Sequence, residues 1–414
     1  MIYEKCHRIA LAILAIQLAA STALAFPAFK EHVVNLEAEV VYAVDVADIN
    51  GDKKLDIIGV SATYVAWYEN PTWTPHRVVN QLRNDNVCIA SHDIDGYGIV
   101  EIAIGADWQP NNTKGGGALY LLKHNGDPAS EWSVTMLRES IPTLHRMRWA
   151  DVDGDTKKEL IVSPLKGVDS HPPDFADKPA RLVALYPPAD IQKEPWREEA
   201  IDETLHVCHN IWPTRKSNET RDSILAASFE GITLFTRGSS GGWTKNALAQ
   251  GNYEPIPRAG SGEIKITANG PQLMATIEPW HANLVVVYSF AKGEWQRKVL
   301  DDSFAGGHLV YWGDFDGDGK GDVAVFRETE GDWYWMNSSN GTFRAAHWGA
   351  AGDEPVARDV LAVAAPADPC ADGIRGEPVA YVSAKASTGS FGHRIILARG
   401  NRWERRERCG RRST

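Results

Sequence analysis

The sequence predicts an all-β fold, a seven-bladed β-propeller of four-stranded antiparallel blades, on two observations. A short acidic loop around a central glycine recurs with one spacing at 48–56, 151–159 and 314–322. Apolar segments of the β type flank each loop, as Val40 to Val46 and Leu55 to Val60 flank the first. A repeat of this kind buries its apolar face only against its neighbours, so we expect one closed array.

Alignment on the loops defines the repeat unit. It has an apolar strand, the loop, a second apolar strand, a turn, a third strand that ends near Tyr and a fourth that begins near Trp. The predicted blades are 38–79, 86–137, 145–201, 209–248, 260–300, 307–348 and 356–408, which form a single domain over 26–408 with a tail at 409–414. Radial closure protects the sheet edges, and a β-sandwich array is the alternative.

The N-terminus predicts secretion. Basic residues precede an apolar run from Ile9 to Ala25 that ends in small residues, so residues 1–25 are interpreted as a signal peptide cleaved before Phe26, with a retained anchor as the alternative. We expect a secreted, extracellular or periplasmic protein with no membrane association after cleavage. The segment 29–34 resembles the blade-closing strand 76–79, so we expect it to complete the final blade.

Cysteine content and net charge indicate which disulfides and which partners to expect. Cleavage removes Cys6 and leaves four cysteines, of which Cys370 and Cys409 are the favoured disulfide pair, while Cys88 and Cys208 are expected to be buried thiols. The net charge of −11 argues against nucleic acid as a partner. Nothing in the sequence predicts an oligomer, so a monomer is expected.

The acidic loops predict calcium as the cofactor. Carboxylate and amide oxygens at alternate positions around a glycine direct several hard ligands at one cation, which is what Ca²⁺ requires. A fourth loop, Asp93 to Glu101, is weaker and is expected to remain hydrated. Blades four and five lack the acids. The predicted metal ligands are Asp48, Asn50, Asp52, Asp56, Asp151, Asp153, Asp155, Glu159, Asp314, Asp316, Asp318 and Asp322.

On these loops the sequence resembles the FG-GAP or VCBS-repeat propellers, and this resemblance implies the fold and calcium rather than an activity. Motifs beginning at His145, His209, Thr276 and Gly307 look like those of secreted propellers related to L-rhamnose-α-1,4-D-glucuronate lyases. Blade six departs from that narrower pattern and resembles a commoner bacterial VCBS type. The last third of the chain is therefore a weaker guide to function.

Four histidines are predicted to converge on the face opposite the calcium loops. His145, His209 and His308 stand near the start of an inner strand, and His281 follows the second strand of blade five, where Trp108 and Lys166 stand in blades two and three. Because strand side chains alternate, Arg146 and Arg148 cannot both point the way His145 does. A histidine at such a position is also commonly a hydrogen-bonded core residue, and tryptophan commonly packs between blades.

The residue types suit β-elimination next to a glucuronate in an acidic glycan. Arg146 or Arg148 would hold the carboxylate. His145 or His209 would be the base, and His281 or His308 the acid. The candidates for stacking on a sugar ring are Trp149, Trp212 and Trp280.

Other functions stay open. A hydrolase needs paired carboxylates, for which Glu263 and Glu278 are the candidates outside the loops. The histidines could instead hold a transition metal, although no His-x-His or His-x-x-x-His spacing supports it. The competing class is a non-catalytic module that binds glycan or protein, and the third is a purely structural propeller.

Overall fold

The computed structural model describes residues 30–38, 41–79, 82–267, 272–303, 307, 309–313, 321–327, 332–347, 379–383 and 393–399. Every regular element in these ranges is a β-strand. None of the described residues forms a helix long and apolar enough to cross a membrane.

Twenty-four of the strands form six four-stranded sheets, or blades, in chain order. Strand β1 (Lys30–Ala38) precedes them. The blades are β2 (Val41–Ala47), β3 (Asp56–Ser61), β4 (Val65–Glu69) and β5 (Thr74–Val79); β6 (Cys88–His92), β7 (Glu101–Ala106), β8 (Ala118–Lys123) and β9 (Ser133–Arg138); β10 (Leu144–Ala150), β11 (Glu159–Pro164), β12 (Ala180–Tyr186) and β13 (Arg197–Leu205); β14 (Asn210–Thr214), β15 (Ser223–Ser228), β16 (Gly231–Arg237) and β17 (Trp243–Ala249); β20 (Lys265–Ile266), β21 (Leu273–Glu278), β22 (Leu284–Ala291) and β23 (Glu294–Asp301); and β24 (Val310–Gly313), β25 (Asp322–Arg327), β26 (Asp332–Met336) and β27 (Phe343–His347). Two short strands, β18 (Asn252–Tyr253) and β19 (Ala259–Gly260), pair between blades four and five.

Burial explains why these segments form stacked blades. The second strand of each of blades one to four is buried at all six positions, because apolar side chains on both faces meet a neighbouring blade. The fourth strands β9 and β17 contain only half-buried and exposed positions. The sequence therefore places its β-branched and aliphatic residues in the middle of each blade and its polar residues at the rim.

The core lies between blades. Ile58, Val60 and Trp67 of blade one pack in one cluster with Ile102 and Leu122 of blade two. The first strands also contact one another in order, β2 with β6, β6 with β10 and β10 with β14, as the inner strands of a propeller do. The prediction of an all-β propeller with four-stranded antiparallel blades is confirmed.

The prediction of seven such blades is wrong, because the described residues form six four-stranded blades. The region expected to be blade seven, 356–408, lies mostly outside the described residues. Its described part contains β28 (Val379–Ser383) and β29 (His393–Arg399), which form a three-stranded sheet with β1 in the order β1-β29-β28. The N-terminal strand thus pairs antiparallel with a C-terminal one, which was the role expected of segment 29–34.

Two predictions about cysteine can be compared with the structure only in part. Cys88 and Cys208 are free and buried, as expected, and burial raises the pKa of each thiol to about 12. Both are therefore protonated and unreactive at neutral pH. Cys370, Cys409 and the predicted signal peptide, residues 1–25, lie outside the described residues.

Glycine is needed where the chain passes from blade four to blade five. Gly260 has φ +73°, and a Cβ added there would stand 2.1 Å from the Ser228 carbonyl oxygen. Gly293, in the hairpin between β22 and β23, has φ +88° but an added Cβ would meet nothing within 4 Å. The two positions share left-handed backbone and differ in packing alone.

We expect Gly260→Ala to lower the free energy of unfolding by about 3 kcal/mol, since strain and a backbone clash combine. Gly293→Ala, the matched control, is expected to lower it by about 1 kcal/mol from strain alone. Chemical denaturation of both variants checks this. Equal losses would show that Gly260 is not packed as described.

Candidate functional site

The register of each blade places the acidic loops and the histidines at opposite ends of the inner strand. Ala150 pairs with Glu159 at the acidic end of blade three, and Thr214 pairs with Ser223 in blade four. His145 and His209 each stand five residues before that pair. Both histidines therefore lie at one level of adjacent blades, on the face away from the loops.

Hydrogen bonds to backbone carbonyls orient both imidazoles. The His145 Nδ1 lies 3.1 Å from the His209 carbonyl oxygen, and the His209 Nδ1 lies 2.5 Å from the Gly262 carbonyl oxygen. A carbonyl oxygen only accepts, so each Nδ1 must carry the hydrogen. The Nε2 atom of each neutral ring is then the basic one. His145 and His209 are 5% and 1% exposed, so packing holds the rings in this orientation.

Each Nε2 faces a different partner. Arg146 Nη1 donates to the His145 Nε2 at 3.0 Å. The His281 Nε2 lies 3.0 Å from the His209 Nε2, so His281 must be the donor in the neutral pair. Full protonation of both rings would set two N–H groups against each other. The pair can therefore hold one extra proton, but not two, while this contact lasts.

Gly262 explains how His281 reaches this level. It occupies in blade five the register position of His145 and His209. Thr267 pairs with Leu273 directly after the pair of Ile266 and Met274, and Gly262 stands five residues before Thr267. A Cβ on Gly262 would stand 2.7 Å from the Cα of Trp280, so only glycine admits the turn that carries His281. His281 itself has φ +53°, a strained value for a residue with a side chain.

The rings form a continuous row across four blades. Ring centroids are 5.2 Å apart from Trp108 to His145, 4.8 Å from His145 to His209 and 4.8 Å from His209 to His281. Trp280 flanks the row with its centroid 5.8 Å from that of His209, and its indole Nε1 is buried with no hydrogen-bond partner among the described residues. Only His281 in this row is exposed to solvent.

Deeper along the inner strands lies a layer of cations around Trp212. The Lys265 Nζ is 4.4 Å and the Arg148 Cζ 5.7 Å from the Trp212 ring centroid, distances typical of cation–π contacts. Buried Glu263 accepts hydrogen bonds from Lys265 Nζ at 3.2 Å and from Asn210 Nδ2 at 2.6 Å. The layer carries more positive than negative charge among these side chains.

The remaining predicted residues lie elsewhere. Trp149 is buried between blades and donates its indole N–H to the Ala90 carbonyl, so its ring belongs to the core. Glu278 is buried in a network with Arg297 and Tyr288. His308 lies outside the described residues. Trp212 contacts cations with its ring, and Arg146 and Arg148 each also donate to a backbone carbonyl of the preceding residue.

Two features of the site were not predicted. Gly262 and Lys265 were not identified as site residues, although Gly262 shares the register of the two histidines. That shared spacing from the loop position was the available signal. The proximity of Trp108 to His145 depends on how two blades stack, for which the sequence holds no comparable signal.

At the opposite face, the acidic loops fold as tight turns. In blade one, both Asp48 oxygens accept backbone amides, from Gly51 and Lys53, each at 2.8 Å. Asp56 accepts the Ile49 amide at 2.9 Å, and burial raises the pKa of Asp56 to about 6. Three of the predicted ligands of blade six, Asp314, Asp316 and Asp318, lie outside the described residues, whereas Asp322 is buried and accepts the Ser338 amide.

The loop of blade three provides the donors that a hard cation needs. One carboxylate oxygen from each of Asp151, Asp153 and Glu159 lies within 4.8 Å of the others. Burial, together with the charges of the neighbouring aspartates, raises the pKa of Glu159 to about 8. Clustered carboxylate oxygens of this kind are the hard ligands that Ca²⁺ takes.

A comparison with protein families finds one related model. Residues 116–293 match the sequence model of the β-propeller domain of aldos-2-ulose dehydratase. This range holds His145, His209, Gly262, Lys265 and His281. No curated protein matches the chain.

Solved structures share the fold at low sequence identity. The CNH domain of AfRom2 is 8% identical, with a TM-score of 0.53 over 89% of this chain and 98% of that one. An extracellular domain of a putative one-component system from B. thetaiotaomicron is 11% identical, with a TM-score of 0.52 over 90% of this chain and 39% of that one. A lectin from Agrocybe aegerita that recognises non-reducing terminal N-acetylglucosamine is 15% identical over 74% of this chain and 80% of that one, with a TM-score of 0.46. The first two likenesses support the propeller fold alone.

We expect nitrogen NMR of the histidine rings to show His145 and His209 protonated at Nδ1 at neutral pH, because both Nδ1 atoms face carbonyl oxygens. Acidification should add one proton to the His209–His281 pair before the contact breaks. Exposed His171 is the reference ring, and His281→Phe should shift the His209 Nε2 resonance. A His209 ring protonated at Nε2 at neutral pH would contradict the geometry.

Proposed function

We propose that the protein catalyses β-elimination on a carbohydrate. The main observation behind this proposal is the pair of buried imidazoles of His145 and His209. Each Nδ1 donates a hydrogen bond to a backbone carbonyl, so each Nε2 is the basic atom. Arg146 lies against one Nε2 and His281 against the other. The match to the dehydratase propeller domain over 116–293 supports the same chemistry.

Dehydration of a keto sugar and lyase cleavage of a uronate are one reaction type. In both, a base removes the proton next to a carbonyl, a C=C bond forms and an oxygen substituent leaves from the next carbon. The leaving group is water in the first case and a sugar hydroxyl in the second. Each needs a base, a group that stabilises the developing enolate oxygen and an acid for the departing oxygen.

His145 serves as the base in this proposal, and Arg146 binds the oxygen that gains charge. An anionic oxygen bound by Arg146 draws the guanidinium away from the His145 Nε2, which can then accept the α-proton. This couples substrate binding to exposure of the base. The acid is the protonated His209–His281 pair, in which His281 carries hydrogens on both ring nitrogens. Its Nε2–H donates to His209, and its Nδ1–H passes to the departing oxygen.

The finer proposal is that the substrate carries a uronate, with glucuronate as the sugar. Arg146, Arg148 and Lys265 outnumber the nearby Glu263, although the chain as a whole has a net charge of −11. A local excess of cations in an acidic protein favours an acidic ligand at this face. Secretion under the predicted signal peptide would give the protein access to extracellular polysaccharide.

A non-catalytic glycan-binding module is the second candidate. Half-buried Trp108 and exposed His281, at the two ends of the row of rings, favour it, because rings that reach the surface offer apolar faces with polar edges to a sugar. Binding without turnover would then be the function of the same face.

The ultraviolet absorbance of the unsaturated product tests the proposal. We expect it to rise when the protein is incubated with glucuronate-bearing glycans, such as rhamnose-capped arabinogalactan, and His145→Gln should reduce the rate at least about 100-fold, the usual worth of a general base. His76→Gln, on the outer strand of blade one, is the matched control and should keep the rate. Aldos-2-ulose substrates in the same panel separate dehydratase from lyase.

A flat trace on every substrate would overturn the elimination. If calorimetry then detects binding of the glycan and His281→Ala weakens it, the binding module replaces the enzyme. Loss of activity in His76→Gln as well would indicate misfolding rather than chemistry.

We further propose that the loops of blades one, three and six bind Ca²⁺ with the ligands predicted from the sequence. Support comes from the clustered oxygens of blade three and from the raised pKa values of Asp56 and Glu159. The ion would neutralise carboxylates at the turn between the first two strands. Its role is structural, since it lies at the end of the blade away from the histidines.

We expect a chelator to lower the melting temperature, because an ion that binds only the native state at 100 times its Kd adds about 2.7 kcal/mol per site. Glu159→Gln should reduce the calcium-dependent part of this stability. Differential scanning calorimetry with and without Ca²⁺ measures it. An unchanged melting temperature in the chelator would refute the calcium assignment.

A further inference from the structure

The acidic loop of blade two contains a cation supplied by the chain itself. The Lys123 Nζ lies 2.6 Å from Asp95 Oδ2 and 2.5 Å from Glu101 Oε1. These two carboxylates belong, with Asp93, to a cluster whose oxygens lie within 4.8 Å of one another. The ammonium therefore lies where a bound ion would contact the same oxygens.

Register explains why the lysine reaches this position. In blades one to three the acid that closes the loop begins the second strand, and the residue that faces it ends the third. In blade two Ile102 pairs with Leu122, so Glu101 faces Lys123. In blade one Ile57 pairs with Tyr68, so Asp56 faces Glu69. In blade three Leu160 pairs with Leu185, so Glu159 faces Tyr186.

Every carboxylate of the blade-two loop is satisfied without an added ion. Asp93 accepts the amides of Gly96 and Gly98, each at 2.9 Å. Glu101 accepts the Ile94 amide with one oxygen and Lys123 with the other. Burial disfavours the ammonium, but its hydrogen bonds to Asp95 and Glu101 outweigh burial and raise the pKa of Lys123. The lysine is therefore charged at neutral pH.

The basic residues near the other two loops are placed differently. Lys54 contacts Asp52 from within the same loop of blade one, where the lysine side chain is 51% exposed, compared with 17% for Lys123. Arg215 contacts Asp151 of blade three and is also bound to Asp222 in blade four. The closing acids Asp56 and Glu159 instead accept backbone amides.

We propose that the Lys123 ammonium is the resident cation of blade two, so that this loop binds no divalent ion. The residue facing the closing acid decides how the loop is neutralised. A lysine there fills the space and supplies the charge, whereas Glu69 in blade one adds a carboxylate. Ca²⁺ takes six to eight oxygen ligands, and it could not gather them in blade two without expelling the ammonium.

Calcium stoichiometry, measured by equilibrium dialysis on the full chain, tests this. Asp93→Asn in the wild-type background should leave the number of bound ions unchanged, because blade two holds none. Lys123→Met should gain one ion per chain, and the double variant Lys123→Met, Asp93→Asn should lose that gain. Lys54→Met, in the loop of blade one, is the matched control and should gain no bound ion.

Thermal unfolding gives an independent readout. In a chelator Lys123→Met should melt below the wild type, because Glu101 and Asp95 lose their counter-charge, and added Ca²⁺ should restore part of the difference. Lys123→Glu, which copies the position of Glu69, should depend on Ca²⁺ more strongly still.

Two results would overturn the proposal. One is a loss of one ion in Asp93→Asn alone, which would mean that a metal binds beside Lys123. The other is a folded Lys123→Met protein with the wild-type number of ions. Because the Asp93→Asn arm needs no change to the lysine, the proposal stays falsifiable even if Lys123→Met fails to fold. All arms count differences between variants, so none depends on how many ions the other loops hold.

Discussion

The pairing register of the first two strands in each blade is the constraint on which both faces of the molecule depend. The acid that closes a loop pairs with the last residue of the inner strand, and five residues earlier the same strand reaches the opposite face. A slip of one residue would turn every side chain of that strand to the other side. The alignment of His145 with His209 and the clustering of Asp151 with Glu159 are therefore two results of one pairing.

Much of this arrangement could be predicted from the sequence, because loop and strand carry strong local signals. The recurring acids and their flanking apolar segments gave the four-stranded blades and the level of the histidines. The number of blades could not be predicted reliably, because the last unit has no acidic loop to align on. The described residues there form only the sheet of β1, β29 and β28.

The contents of the site were harder to predict than its location. Trp149 and Trp212 were both predicted to stack on a sugar ring. In the structure Trp149 packs between blades, and Trp212 lies against Lys265 and Arg148. Sequence position fixes which strand a tryptophan belongs to, whereas the neighbouring blade decides what its ring contacts. In blade five Gly262 stands where blades three and four have an inner-strand histidine, and His281 supplies the imidazole. This arrangement depends on a close approach of two backbones, and its one local sign in the sequence is a single glycine.

The two faces also differ in how many blades contribute to each site. The range 116–293 that matches the dehydratase propeller domain holds the whole chain of contacts from His145 through His209 to His281. Of the acidic loops it holds only that of blade three, while those at 48–56, 93–101 and 314–322 lie outside it. The row of rings from Trp108 to His281 joins residues of four blades, whereas each acidic loop belongs to a single blade. Each loop needs only a positive charge, and in blade two the lysine that faces the closing acid already provides one. A change at such a position alters one blade and leaves the inner strands, and with them the site, in the same register.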